Sequence, residues 1–231
     1  MIPDFDVFKA RADAVRARIA QACERAGRNA TEVELLAVTK SHPAAAVELA
    51  ARYGLRAVGE NRVQEGIEKR AQTSAKIAWE LIGHLQSNKA RLAARHFDRI
   101  QSVDSVKLLE ILDRAAAELG RSQAVLLQVN AGLDPAKSGV EPDEAPRLLA
   151  AALGLRNIRV EGLMTIAPLF GGPDAPRRTF SRLREIRDRL ASESGSPLRE
   201  LSMGMSDDLD AAVAEGSTIV RVGTALFGMR E

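Results

Sequence analysis

The chain is poor in several things that would otherwise define it. It has one cysteine, Cys23, so no disulfide can close within it. That usage fits a reducing compartment. Aromatic residues make up 3% of the 231 residues, with a lone Trp79 and a lone Tyr53. The core must therefore be built from Leu, Ile, Val and Ala. His42, His84 and His96 are the only histidines, and with Cys23 they show no metal-ligand spacing. No metal site is expected. No apolar run approaches the roughly 20 residues of a membrane helix. The N-terminal stretch is charged throughout, unlike a secretory signal. A cytoplasmic protein without a membrane partner is the expectation. A dominant charge is missing too: 33 basic residues face 31 acidic ones, for a net +2. That balance argues against a nucleic-acid partner. No Walker A or dinucleotide fingerprint occurs.

What is present is an alternation of two textures. Short β-branched runs read as buried strands, and longer Ala/Leu/Arg/Glu stretches have helical spacing. Strands are expected at Val33 to Lys40, Arg56 to Glu60, Ala78 to His84 and Arg99 to Val103. Four more follow at Ala124 to Asn130, Arg159 to Ile166, Glu200 to Met203 and Thr218 to Val222. Repeated β-then-α order implies parallel strands with right-handed crossovers. Eight such units in a chain of this length favour one α/β domain over residues 1–231, a (β/α)8 TIM-type barrel. One miscounted strand would make it an open sheet. An extra helix from about Phe5 to Gly27 precedes the first strand. The last strand region closes at Gly228, which leaves the final helix of an ideal barrel missing or a stub. The N-terminal helix is expected to cover that gap, since a bare barrel strand exposes apolar surface.

In such barrels the chemistry sits at the C-terminal ends of the strands. Lys40 closes the first strand. Desolvation there would lower its pKa and suit it to attack an aldehyde. The same position also suits a lysine reaching for water or pairing with Glu60. Asn61 follows the second strand, His84 the third, Asn130 the fifth and Met164 the sixth. The seventh loop reads Ser202-Met203-Gly204-Met205-Ser206-Asp207-Asp208. Ser206 is expected to cap the following helix, whose first N–H groups can face an anion. Asp207 and Asp208 are expected to point along the outer face of that helix. Gly223 lets backbone approach a ligand, and Thr224 adds a hydroxyl. Together these lie where barrels keep phosphate. Arg221 shares a strand face with Gly223. It either faces a ligand or forms a salt bridge in the barrel mouth.

Seven stretches, in order along the chain, carry a resemblance to a known family. They are Leu36 to Lys40, Gly59 to Glu65, Ile82 to Lys89, Lys137 to Gly139, Gly162 to Ile166, Leu201 to Asp208 and Arg221 to Gly228. The chain resembles the pyridoxal phosphate homeostasis protein family. Ile166 and Ala167 depart from the family pattern, in which a small polar residue is more usual. The resemblance implies the alanine racemase N-terminal barrel without that enzyme's second, β-rich domain. It implies pyridoxal 5′-phosphate (PLP) as cofactor, held as a Schiff base on Lys40. Asn61 would lie by the cofactor ring and Arg221 would meet the pyridine nitrogen. Ser206, Gly223 and Thr224 would hold the phosphate, and Met164, Ser202 and Met205 would line the pocket.

The resemblance implies a PLP carrier or regulator, serving apo PLP-dependent enzymes, rather than a catalyst. The residues agree. A racemase needs a base on each face of the substrate, and its tyrosine comes from the second domain. Here the only tyrosine, Tyr53, falls in a helix between the first two strands. An arginine at the pyridine also weakens the ring as an electron sink. Two alternatives remain: a PLP-dependent racemase or transaminase-like enzyme using His84 or a loop residue, and a PLP-independent aldolase using Lys40. A monomer is the expected state.

Overall fold

The computed structural model describes residues 2–228. Eight parallel strands close into a barrel: β1 (Glu34–Val38), β2 (Ala57–Glu60), β3 (Ala78–Leu81) and β4 (Arg99–Val103), then β5 (Gln123–Gln128), β6 (Ile158–Met164), β7 (Glu200–Ser202) and β8 (Ile219–Val222). Each strand pairs with the next, and β8 returns to β1 with Leu36 opposite Arg221 and Ala37 opposite Val222. The outer layer is α2 (Ala45–Tyr53), α3 (Val63–Ala71), α4 (Ala90–His96), α5 (Val106–Glu118), α6 (Ala145–Leu153), α7 (Ala175–Ser194) and α8 (Leu209–Ala214). No β-rich second domain follows among the described residues.

Several strands stop earlier than their composition suggests. β1 ends at Val38, not Lys40; β3 at Leu81, not His84; β6 at Met164, not Ile166. In each case the chain leaves the ladder while its side chains keep the inward alternation, because they go on to line the mouth. The last strand does not run on to Gly228. It ends at Val222, and Thr224–Phe227 forms a single helical turn, α9.

The N-terminal helix α1 (Phe5–Arg25) fills the place this short end leaves. It buries Phe8, Ala12, Val15, Ile19, Ala22 and Cys23, spaced four, three, four, three and one, a single helical stripe. That stripe lies against α8 and α9. The Phe8 ring sits 5.3 Å from that of Phe227. Arg18 Nε donates to Asp210 at 2.7 Å, tying α1 to α8. The helix starts cleanly because the Asp4 carboxylate accepts the Val7 N–H at 2.9 Å. Removing that cap in Asp4→Ala should cost about 1 kcal/mol, read as a fall of about 2–4 °C in Tm for a chain of this size.

Two cores result. The larger lies between strands and helices. The smaller fills the barrel and gathers Leu36, Val38, Ile82, Leu126, Met164 and Ile219. Beside these apolar residues runs a polar column along the barrel axis. At the bottom, Arg99 donates to Glu80 at 2.5 Å and to Glu161 at 3.0 Å. Gln101 donates to the other Glu80 oxygen at 2.5 Å, and its own amide oxygen accepts Ser202 Oγ at 2.6 Å. Ser202 Oγ in turn accepts from Arg221 Nη1 at 2.8 Å, just beneath the mouth.

Candidate functional site at the barrel mouth

A cavity of about 470 Å³ opens at the C-terminal ends of β1, β2, β3 and β8. Its size falls in the range of small-molecule sites, roughly 300–1,000 Å³. Lys40 reaches its wall by strand alternation. Leu36 and Val38 point into the barrel, so the next residue of that parity does too. Thr39 and Glu60 point the other way, toward α3, where Glu60 pairs with Lys69 at 2.7 Å. Lys69 is thus a partner of Glu60, the residue considered above for Lys40. Directly after Lys40 the chain turns at Ser41, with φ of 61°.

Asn61 lines the same wall. Its backbone is seated on Gly83, where an added Cβ would lie 2.2 Å from the Asn61 carbonyl oxygen. Across the cavity stand Met205, Ser206 and Asp207 from the loop after β7, and Gly223 and Thr224 after β8. Gly204 makes the seventh loop possible: its φ is +94°, and a Cβ there would meet Ala212 Cβ at 2.4 Å.

That loop corrects two expectations. Ser206 is not the helix cap; Asp208 takes the N-cap position, and the Ser206 carbonyl accepts from Arg18 Nη1 at 2.5 Å. Nor do the two aspartates share an outward face. Asp207 lines the cavity, and Asp208 turns back to accept the Met205 N–H at 2.5 Å. Burial raises the Asp208 carboxyl above its usual range, while the Met205 N–H and Arg221 oppose that shift.

Arg221 forms the cavity floor. It is buried, with Nη1 on Ser202 Oγ and Nη2 on the Thr165 carbonyl, both at 2.8 Å. Burial pulls its pKa down to about 10, with Asp208 opposing. The group therefore stays charged at neutral pH. Its guanidinium is held by a hydroxyl and a carbonyl, not by a carboxylate salt bridge. Met164 and Ser202 lie lower than expected. Both are fully buried beneath the cavity, Met164 in the barrel core and Ser202 under Arg221.

Other candidates stay outside. His84 is exposed at the rim, its Nδ1 3.5 Å from Asp104. His42 stacks on Phe227 at 5.0 Å. Asn130 pins the loop after β5, bonding Asp134 and Glu141. Tyr53 lies on the outer wall, donating to Asp13 at 2.7 Å. Among the described residues no cluster of His, Cys, Asp or Glu could hold a metal ion, and no helix is long and apolar enough to cross a membrane. Sequence reading passed over Gln101, which orients Ser202, and Val38, Ile82 and Ile166, which line the cavity. Strand parity with Lys40 and Met164 was the signal for Val38 and Ile166.

A larger cavity, about 570 Å³, opens at the opposite end of the barrel. It is lined by Glu32, Glu34 and Glu200 with Arg16 and Arg56, and by no lysine. It offers no amine for carbonyl chemistry, and its acids would repel a phosphate. The mouth, with Lys40 and Arg221 facing one space, is the better site.

Comparison with known proteins agrees with this fold. Residues 11–231 match the family model described as alanine racemase, N-terminal domain. The pyridoxal phosphate homeostasis protein of Pseudomonas aeruginosa is 44% identical over 218 residues, 94% of this chain and 93% of its own. That of Aquifex aeolicus is 41% identical over 222 residues, 96% and 97% of the two chains. The solved structure of PipY from Synechococcus elongatus PCC7942 with PLP bound superposes with a TM-score of 0.85 at 43% identity, covering 96% of this chain and 100% of that one. This chain belongs to the alanine racemase N-terminal domain family and, within it, to the pyridoxal phosphate homeostasis proteins.

Proposed function

We propose that this chain binds PLP at the barrel mouth, as a Schiff base on Lys40, and acts in PLP homeostasis as a carrier or regulator. The observation that carries the reading is the pairing of Lys40 with the buried Arg221 across one cavity. An amine at the end of an apolar strand suits an aldehyde. A fixed cation on the floor suits an unprotonated pyridine nitrogen. Gly223 lines the cavity and seats the end of β8 on β1, where an added Cβ would stand 3.2 Å from the Val38 carbonyl oxygen. Ser206 and Thr224 flank that space, and the first N–H groups of α9 have no carbonyl earlier in their helix. These are phosphate-holding features. Asn61 would sit beside the ring, Met205 over the opening, and Met164 and Ser202 would support the floor.

PLP supplies an electron sink when bound, and this chain's residues restrain that chemistry. With the cofactor bound, Arg221 would keep the ring nitrogen from gaining a proton. Neither Tyr53, on the outer wall, nor His84, on the exposed rim, faces Lys40 as a second base, and Asp207 is the acidic residue that lines the cavity across from it. This arrangement supports a carrier role, proposed to act in the cytoplasm toward apo PLP-dependent enzymes. PipY has been solved both with PLP bound and without it, which supports a site that loads and unloads.

The test has two parts. Purified protein should show a visible absorption band, and borohydride followed by peptide mapping should place the label on Lys40. The loaded protein should then deliver PLP to an apo-enzyme faster than PLP dissociates into buffer. A colourless protein that takes up no added PLP would sink the cofactor reading. Sustained racemase or transaminase turnover, lost in Lys40→Ala, would replace carrier with enzyme.

A further inference from the structure

We infer that Glu65 and Lys69 form a clamp that fixes the backbone of Lys40, and that Lys69 and Glu65 are positioning residues for its amine. The inference rests on the reading of Lys40 as the PLP anchor. Both peptide groups flanking Lys40 are held from α3. Lys69 Nζ donates to the Thr39 carbonyl at 2.6 Å, the peptide before Lys40. Glu65 Oε1 accepts the Ser41 N–H, the peptide after it. Lys69 Nζ also donates to that same Glu65 oxygen at 2.7 Å. The four groups thus close a ring around the Lys40 Cα. The third ammonium donor goes to Glu60 Oε1 at 2.7 Å, so the cation's donors are all used.

The clamp has a task that an ordinary helix salt bridge does not. Ser41 stands in the left-handed region, φ 61°, which a residue with a Cβ enters at a cost. Such strain persists only where neighbours over-determine it. Here the bonds to Thr39 and Ser41 do so, and the strained turn is the one that leads the chain away from the cavity wall directly after Lys40. Lys69 is buried, within a site whose cation is fully committed to one geometry.

Glu65 is the residue to change, because its side chain is partly exposed and the Lys69–Glu60 pair survives its loss. Glu65→Ala should speed hydrogen exchange at the Ser41 amide of the PLP-free protein by about tenfold. It should slow PLP uptake on Lys40 by about tenfold or more, as expected for a misplaced reactive group. Glu65→Gln, which can still accept from both partners, should restore both to near wild type. A change of stability alone would not produce that rescue together with the amide signal. Unchanged Ser41 exchange, or unchanged uptake in Glu65→Ala, would overturn the clamp. Label trapped in wild type on a residue other than Lys40 would instead overturn the anchor reading, and the clamp's purpose with it, even with the exchange result intact.

Discussion

Lys40→Ala should lose PLP retention by about 100-fold or more, equivalent to about 2.8 kcal/mol, with its visible band replaced by that of loosely held cofactor. The argument is one of what remains. Arg221, Gly223, Thr224 and Ser206 still line the cavity, so the variant keeps the groups proposed to hold ring and phosphate. What goes is the only lysine that lines the cavity among the described residues. Lys40 is half-buried at a strand end, so its truncation should leave stability within about 0.5 kcal/mol. Equilibrium dialysis against PLP, with thermal melting of the same samples, checks both halves. A variant that retained PLP like wild type would move the anchor elsewhere on the mouth.

Lys69→Met should be the most damaging change to stability, by about 3–5 kcal/mol at neutral pH. It leaves the Glu60 carboxylate fully buried with only the Thr39 hydroxyl, 2.6 Å away, to answer it. Its second oxygen, Oε2, has no partner even in the native protein. Burial already raises the Glu60 pKa, and Lys69 is the largest influence opposing that rise. Without Lys69 the pKa climbs further. A carboxyl whose folded pKa lies above its unfolded value favours folding at acid pH and loses that contribution as pH rises through the folded pKa. The deficit of Lys69→Met should therefore be largest at neutral pH and shrink as the medium is acidified toward the usual carboxylate range. Urea unfolding at a series of pH values reads this directly. A deficit independent of pH would mean that Glu60 is not the group left stranded.

Lys69 also shows where sequence reasoning reaches its limit. Glu65 and Lys69 are four apart on α3, the spacing of a common surface pair. Nothing local says that this pair turns inward onto Thr39 and Ser41. The alternation of strands and helices was readable because period and length are local properties. So was the inward parity of Lys40 and Arg221. Strand ends were not, since Ile82 and Ile166 continue the apolar, inward texture after the hydrogen-bonded ladder has stopped. In the seventh loop, Ser206 and Asp208 are equally good capping residues. The choice between them was made by Gly204 and by Asp208 reaching back to Met205, a decision of loop geometry. Gln101 was invisible for another reason: its partners, Glu80 and Ser202, come from other strands, and Ser202 is 101 positions away.

That axial chain bears on any attempt to move this mouth onto another scaffold. A designer who grafts the loops alone, carrying Lys40, Ser206 and Thr224, would import an Arg221 with nothing beneath it. Its orientation is inherited from Ser202, then Gln101, then Glu80, and finally Arg99 at the far end of the barrel. A recipient barrel with an all-apolar interior would leave that guanidinium buried and unsupported. The transplantable unit is the loops together with their spine, so lineages that keep the arginine should inherit the column as a block.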